Sequence, residues 1–201
     1  MGDFEVVPAS AHRRARWANN GGWTSEIVAR PFAARSPEPR SPEPGVPTEW
    51  AWRLSVADVD TPGQFSIFEN VDRTISLLRG NGFCLTHDHG LGTVIDVQFV
   101  PYEFDGGVIT HCALVDGPVQ DLNLMVHRAN EPMSLRFVTL TAERATSLVD
   151  VDALVVVDGH AVFADQNLGY LDAVVASQTA TMLEVKSRAR TAVVAVVSRD
   201  R

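Results

Sequence analysis

The stretch TISLLRGNGFCL at residues 74–85 can be laid on ALVVVDGHAVFA at residues 153–164 without a gap. Each copy reads as an apolar run, a charged residue, a glycine, two turn residues and a second apolar run. Gly80 and Gly159 coincide. A glycine between two strands predicts a turn with positive φ, a conformation only glycine adopts freely. The copies are 79 residues apart, enough chain for one small β-barrel, so the repeat points to two barrels in tandem.

Outside the repeat, short apolar and β-branched runs end repeatedly in Gly, Asp, Asn or Pro, the pattern of strands and turns. Such runs occupy residues 50–56, 73–78, 82–86, 94–100, 108–115, 122–127, 133–139, 153–157, 161–164, 182–186 and 191–197. The best helix signal, over residues 141–148, is short, so the expected class is all-β. Six of the eleven prolines fall between Pro31 and Pro47, where SPEP occurs twice. Proline donates no backbone hydrogen bond and biases its predecessor to extended conformations. Residues 36–47 are therefore expected to form a surface loop between strands.

Composition narrows the function. A chain of 201 residues with 45 % hydrophobic and 21 % charged residues can build a sizeable core, burying roughly 70 % of the surface its unfolded form exposes. Its net charge of −8 repels phosphate backbones and anionic lipid. No apolar run approaches the roughly 18 residues of a membrane span, and the first residues lack the order of a secretory signal. The expectation is a cytoplasmic protein with neither nucleic acid nor membrane as partner. Cys84 and Cys112 are too few for a disulfide framework and read as small buried hydrophobes. There is no phosphate-binding G-x-x-x-x-G-K-[ST] loop, no G-x-G-x-x-G and no G-x-S-x-G elbow.

Five stretches in order carry a resemblance. They are WANNGGWTSEI at 17–27, WRLSVADV at 52–59, GQFSIFENVDRT at 63–74, FDG at 104–106 and DGPVQDLNLM at 116–125. Together they resemble the HutD/Ves family across most of residues 16–128. The resemblance implies a bicupin, two cupin-type β-barrels in one chain, and a role as a modulator linked to histidine utilisation. Within the first motif the family's lysine is Ala18 here, which removes one cation that could contact a ligand. The first glycine of the family's triplet is Asn20, and asparagine tolerates the left-handed backbone better than other non-glycine residues. The expected division is residues 1–139 for the N-terminal segment and first barrel, and 140–201 for the second barrel, with a soft boundary because N-terminal segments of such folds often cross to the other half.

The turn Asn19, Asn20, Gly21, Gly22, followed by Thr24 and Glu26, gathers backbone N–H groups, a hydroxyl and a carboxylate, as sites for small polar molecules often do. A plain strand-connecting turn is the alternative. Period-two alternation places Trp52, Leu54 and Val56 on one strand face and Arg53 and Ser55 on the other. If the polar face lines a barrel, Arg53 can hold a carboxylate through two parallel charge-assisted bonds, with Ser55 adding a third. Asp121, Asn123 and Met125 share a face by the same alternation, and Asp121 either joins a site or closes a turn. Asp72 and Arg73 read as a structural ion pair, although Arg73, with Asp105 and Asn123, is also a candidate ligand contact.

Metal-binding cupins commonly carry an H-x-H pair followed by a carboxylate and a further histidine. His87-Asp88-His89 begins such a pattern, but no glutamate follows at the expected distance, so neither metal nor any other cofactor is expected. The combined reading is a metal-independent bicupin that binds a small carboxylate metabolite through Asn19, Gly21, Gly22, Thr24, Glu26, Arg53, Ser55, Arg73, Asp105 and Asn123. The competing reading is a metal-independent isomerase or lyase using Glu26, Asp105 or His127 as acid or base. A homodimer is compatible with either.

Overall fold

The computed structural model describes residues 4–32, 50–88 and 90–199. The proline-rich segment 36–47 and His89 lie outside the described residues. In chain order the strands are β1 (Phe4–Val7), β2 (Arg13–Arg16), β3 (Gly22–Arg30), β4 (Trp52–Val59), β5 (Gly63–Gln64), β6 (Val71–Arg79), β7 (Phe83–His87), β8 (Thr93–Ile95) and β9 (Tyr102–Asp105). They continue as β10 (Thr110–Leu114), β11 (Val119–His127), β12 (Met133–Thr141), β13 (Thr146–Asp158), β14 (Ala161–Phe163), β15 (Gln166–Leu168), β16 (Ala173–Ser187) and β17 (Thr191–Arg199). A 3-10 turn, Ala9–Ala11, accompanies them. No helix among the described residues is long and apolar enough to cross a membrane.

Two compact units result, Arg13–Pro132 and Met1–His12 with Met133–Arg201. In the first, a six-stranded sheet ordered β2-β3-β4-β11-β6-β9 faces a four-stranded sheet ordered β5-β10-β7-β8. Ala57, Val59, Ile75, Leu77 and Val119 from the larger sheet meet Phe83, Leu85, Ile95 and Cys112 from the smaller in one core. Each such fully buried aliphatic contributes about 1.5 to 3 kcal/mol of transfer free energy. In the second unit the order is β12-β17-β13-β16-β14-β15, with β1 added on β16. Its core is built on apolar residues such as Leu140, Leu154, Leu168, Val174 and Val194.

The repeat is structural. Gly80 follows β6 with φ +96° and Gly159 follows β13 with φ +71°. A Cβ on Gly80 would lie 2.7 Å from the Pro118 carbonyl oxygen, and one on Gly159 the same 2.7 Å from that of Thr191. Those carbonyls open β11 and β17, the strands that pair with β6 and β13. In neither copy do the flanking strands form a hairpin, because β6 and β7 belong to different sheets and β14 pairs with β15 and β16. Gly80 turns the chain from one sheet to the other, whereas Gly159 turns it from β13 to β14, on either side of β16 in one sheet.

The division differs from the expected one at both ends. Met133–Thr141 pairs along its whole length with β17, and Phe4–Val7 with β16, so both belong with the C-terminal strands. The expected helix over 141–148 is absent. Its residues are the end of β12, a bend at 142–144 and the start of β13, where Leu148 is buried while Val149 is exposed, the alternation of a strand.

Candidate functional site

The site lies within unit 13–132, on the face of the six-stranded sheet that looks toward the smaller sheet. Register builds it row by row. Arg53, Met125 and Arg73 stand opposite one another on β4, β11 and β6. The next row is Ser55 and Asn123, and the next Ala57 and Asp121. All seven line a cavity of about 340 Å³. The intervening residues Leu54, Val56, Leu122 and Leu124 are buried on the opposite face, so the alternation expected for Trp52–Val56 is the one observed. Ala18, Asn19, Gln64 and Ser66 stand exposed at the mouth, while Trp17, Thr24, Phe65 and Phe68 complete the wall.

The floor is polar, buried and incompletely partnered. Arg73 is 4 % exposed and Asp121 1 %. Arg53 Nε, Arg73 Nε, Asn123 Oδ1 and both Asp121 carboxylate oxygens are buried without a hydrogen-bond partner in the protein. What surrounds Arg73 instead is aromatic: its guanidinium carbon lies 4.8 Å from the centre of the Phe104 ring, 5.2 Å from Phe65 and 5.7 Å from Phe68. Such contacts favour the cation without using its N–H groups. Arg53 lies 5.7 Å from the Trp50 ring and 5.9 Å from Phe68.

Electrostatics follow from burial. Burial pulls Arg73 down to about 10, Asp121 working against the shift and Arg53 adding to it. Arg53 moves in the same direction, through burial first, with Glu26 opposing and Arg13 reinforcing. Burial pushes the Asp121 carboxyl up to about 7, Arg73 opposing and Asp58 adding. The Cys112 thiol is raised by burial, then by Asp121, to about 12, which leaves it an inert apolar group.

Of the expected contacts, Asn19, Thr24, Arg53, Ser55, Arg73 and Asn123 come together on this cavity. Gly21 and Gly22 hold the turn instead. The Gly21 N–H is taken by Asn19 Oδ1 at 2.9 Å, and its carbonyl accepts from Asp60 and Thr61. A Cβ on Gly22 would fall 2.2 Å from the Asp58 carbonyl oxygen. Asn20 takes φ +59°, so the asparagine keeps the turn. The Thr24 hydroxyl accepts from Trp17 Nε1 at 2.8 Å and retains its own proton to donate. Glu26 stands opposite Ser55 and pairs with the exposed Arg13 at 3.5 Å.

Asp105 is a correction. It is exposed at the end of β9, accepts from the Gly107 N–H at 2.8 Å and pairs with Arg128 at 2.9 Å. The Asp72–Arg73 ion pair is another. Adjacent strand residues point to opposite faces, so Asp72 pairs outside with Arg128 at 2.8 Å while Arg73 turns inward. His127 is also outside the cavity, its Nδ1 accepting from the Ala129 N–H at 3.1 Å and its ring 5.1 Å from Phe32. His87 does not suit a metal, because Nδ1 is bound to the Thr110 hydroxyl at 2.9 Å and Nε2 to the Tyr102 hydroxyl at 3.1 Å. No group of three His, Cys, Asp or Glu residues that could hold a metal occurs among the described residues.

Asp121, Gln64, Ser66, Phe65 and Phe68 were missing from the expected contact set. Alternation on β11 carried the signal for Asp121, which shares a face with Asn123. Phe65 and Phe68 lie between β5 and β6, where no period announces which way a side chain points.

The family model described as HutD matches residues 9–194. An uncharacterized 21.2 kDa protein in the hutC 3' region of Pseudomonas putida is 31 % identical over 125 residues, 62 % of this chain and 59 % of that protein. Protein Ves of Citrobacter koseri is 30 % identical over 113 residues, 56 % of this chain and 52 % of Ves. The chain thus spans just over half the length of the curated relatives it matches. Among solved structures, HutD from Pseudomonas fluorescens SBW25 superposes with a TM-score of 0.73 at 23 % identity, covering 99 % of this chain and 100 % of that one. Quercetin 2,3-dioxygenase from Acinetobacter baumannii gives 0.60 at 13 % identity, covering 98 % of this chain and 79 % of that one. These likenesses establish the cupin fold. With the family model matching from residue 9 to residue 194, this bicupin chain belongs to the HutD/Ves family.

Proposed function

We propose that the protein binds a small carboxylate metabolite, without a metal, and that its occupancy modulates histidine utilisation. The observation that carries this reading is the pair Arg53 and Arg73, two cations on one cavity wall whose Nε atoms are buried and unpartnered. Buried charge without a partner is costly, and a carboxylate accepting from both guanidinium groups would relieve it. Ser55, Thr24 and Asn123 add neutral hydrogen-bonding groups along the same wall. The link to histidine utilisation rests on the family alone. A thermal-shift screen of carboxylate intermediates of amino-acid degradation, followed by calorimetry of the hits, tests the reading. At least one carboxylate should raise the melting temperature and bind with a stoichiometry of one. A complete screen in which no carboxylate binds overturns it.

A second reading, a metal-independent isomerase or lyase, has one observation in its favour. Asp121 is a buried acid on the cavity floor whose proton affinity lies near neutrality, the property a general acid needs. Following each hit by proton NMR over time separates the two readings: a binder leaves the compound unchanged.

A further inference from the structure

Asp121 lies on the cavity floor between two influences. Ala57 of β4 and Leu77 of β6 stand opposite it, both apolar, and the residue is 1 % exposed, so its carboxyl is shielded from solvent. Arg73 on β6 favours its ionised form, whereas Asp58 on β4 opposes it. The other charged or titratable groups nearby are Arg53 on β4, Glu26 on β3 beside Ser55, and the buried Cys112 thiol on β10. Neither carboxyl oxygen has a hydrogen-bond partner. The ionised form therefore depends on Arg73 at a distance, with no bond to fix it.

An anion that docks on the two arginines changes that balance. It claims the cations' N–H groups, screens the field of Arg73 at Asp121, and adds a negative charge of its own to the same cavity. A second anion in the cavity raises the cost of ionising the buried carboxyl, and the group without direct partners takes up a proton. By linkage, whatever draws a proton onto Asp121 also tightens the anion, and the coupling works equally in both directions.

We propose that binding of a carboxylate at Arg53 and Arg73 is coupled to uptake of one proton by Asp121, which meets the bound molecule as a neutral acid and donates a hydrogen bond to it. This rests on the carboxylate-binding reading above and adds a selection rule. The bound molecule presents an acceptor to Asp121, either the second oxygen of its own carboxylate or a neighbouring carbonyl or hydroxyl, and an ammonium group placed there is not required. No covalent bond changes; the proton comes from solvent and returns to it on release.

The test is calorimetric titration of the full chain with benzoate, whose own carboxylate stays ionised throughout, from about pH 5.5 to about pH 8.5 in buffers of different ionisation enthalpy. At the alkaline end the wild type should take up close to one proton per benzoate, and its Kd should be about 30-fold weaker than at the acid end. Asp121→Asn keeps a donor of similar shape without a titrating proton. It should bind with no proton uptake and a Kd that is flat across the range. Binding by the wild type without proton uptake, or an unchanged pH dependence in Asp121→Asn, overturns the coupling while leaving carboxylate binding in place. Failure of benzoate to bind at any pH overturns the coupling as stated for it, and only an empty carboxylate screen overturns the binding reading as well. The proton count on the wild type needs no variant, so the proposal stays testable even if Asp121→Asn folds poorly.

Discussion

Arg53 and Arg73 flank Met125 on the same face of the sheet and share one aromatic ring, their guanidinium carbons 5.9 and 5.7 Å from the centre of Phe68. Burial lowers the proton affinity of both, and Arg53 lowers that of Arg73 further. Two like charges brought together in a cavity, neither using its Nε, form an arrangement that an anion stabilises and a cation does not.

Arg53 is the more accessible of the two and should be the principal anchor. A hydrogen bond to a charged partner is worth roughly 1.5 to 3 kcal/mol, so Arg53→Ala should weaken a bound carboxylate by about one to two orders of magnitude. Arg53→Lys should recover only part, because a point ammonium cannot reproduce a planar two-pronged contact. Calorimetric titration of the three proteins decides it. Unchanged affinity in Arg53→Ala at an unchanged melting temperature removes Arg53 from the site.

Arg73 is a cation held in a cage of three phenylalanines, and its removal should separate stability from binding. Arg73→Met fills a similar volume without a buried charge, so the melting temperature should hold or rise. Carboxylate binding should be lost or fall by at least about tenfold. A large loss of stability in this variant would show that the cation–aromatic contacts dominate over the cost of burying the charge.

Gly22 tests the turn that carries Asn19. With the Asp58 carbonyl 2.2 Å from where a Cβ would sit, Gly22→Ala has to push backbone apart rather than a flexible side chain. Chemical denaturation should register a loss of about 1 to 3 kcal/mol. An effect within experimental error would mean that β3 and β4 separate there at little cost.

The fold and most of the cavity wall were legible because they rest on periodicity. Alternation on residues 52–56 and 121–125 says which side chains share a face, and it names Arg53, Ser55, Asp121 and Asn123 together. Two glycines at matching places in two apolar runs say that the chain turns twice in the same way, though not that the flanking strands pair with other strands rather than with each other. What escaped depends on neighbours far along the chain. Asp105 is short-range from Arg73 in register, since Asp72 stands opposite Asp105 and Arg73 opposite Phe104, yet that one-residue step puts Asp105 on the outer face. The exposed edge strand Arg13–Arg16 has no apolar residue but Ala15, so no hydrophobic pattern marks it; its pairing with β3 does.

Asp105 and Arg128 should therefore be silent in binding. Their pair is exposed, with Asp72 as third member, and exposed pairs contribute little. The Asp105 carboxyl is held below its ordinary value by the Gly107 N–H and then by Arg128, contacts of the loop that follows β9. Asp105→Asn should leave carboxylate affinity within about twofold of wild type in the same titration, a change of under about 0.5 kcal/mol. A tenfold loss would bring Asp105 back into the site.

Asp121 should also write itself into the pH dependence of folding. Its ordinary value is 3.8 and burial raises it to about 7 in the folded protein. Between these values the folded state holds a proton that the unfolded state has released, so stability falls as pH rises through that window, by at most about 1.4 kcal/mol per pH unit. The contribution is fully present below the unfolded value and lost once pH exceeds the folded one. Asp121→Asn removes the titration while keeping the shape. Its melting temperature should match or exceed that of the wild type at about pH 5, and the gap should widen toward about pH 7.5. Melting curves of both proteins across this range, without ligand, give the answer. Parallel curves would mean that Arg73 holds Asp121 ionised throughout, with the two acting as an ion pair across the cavity floor.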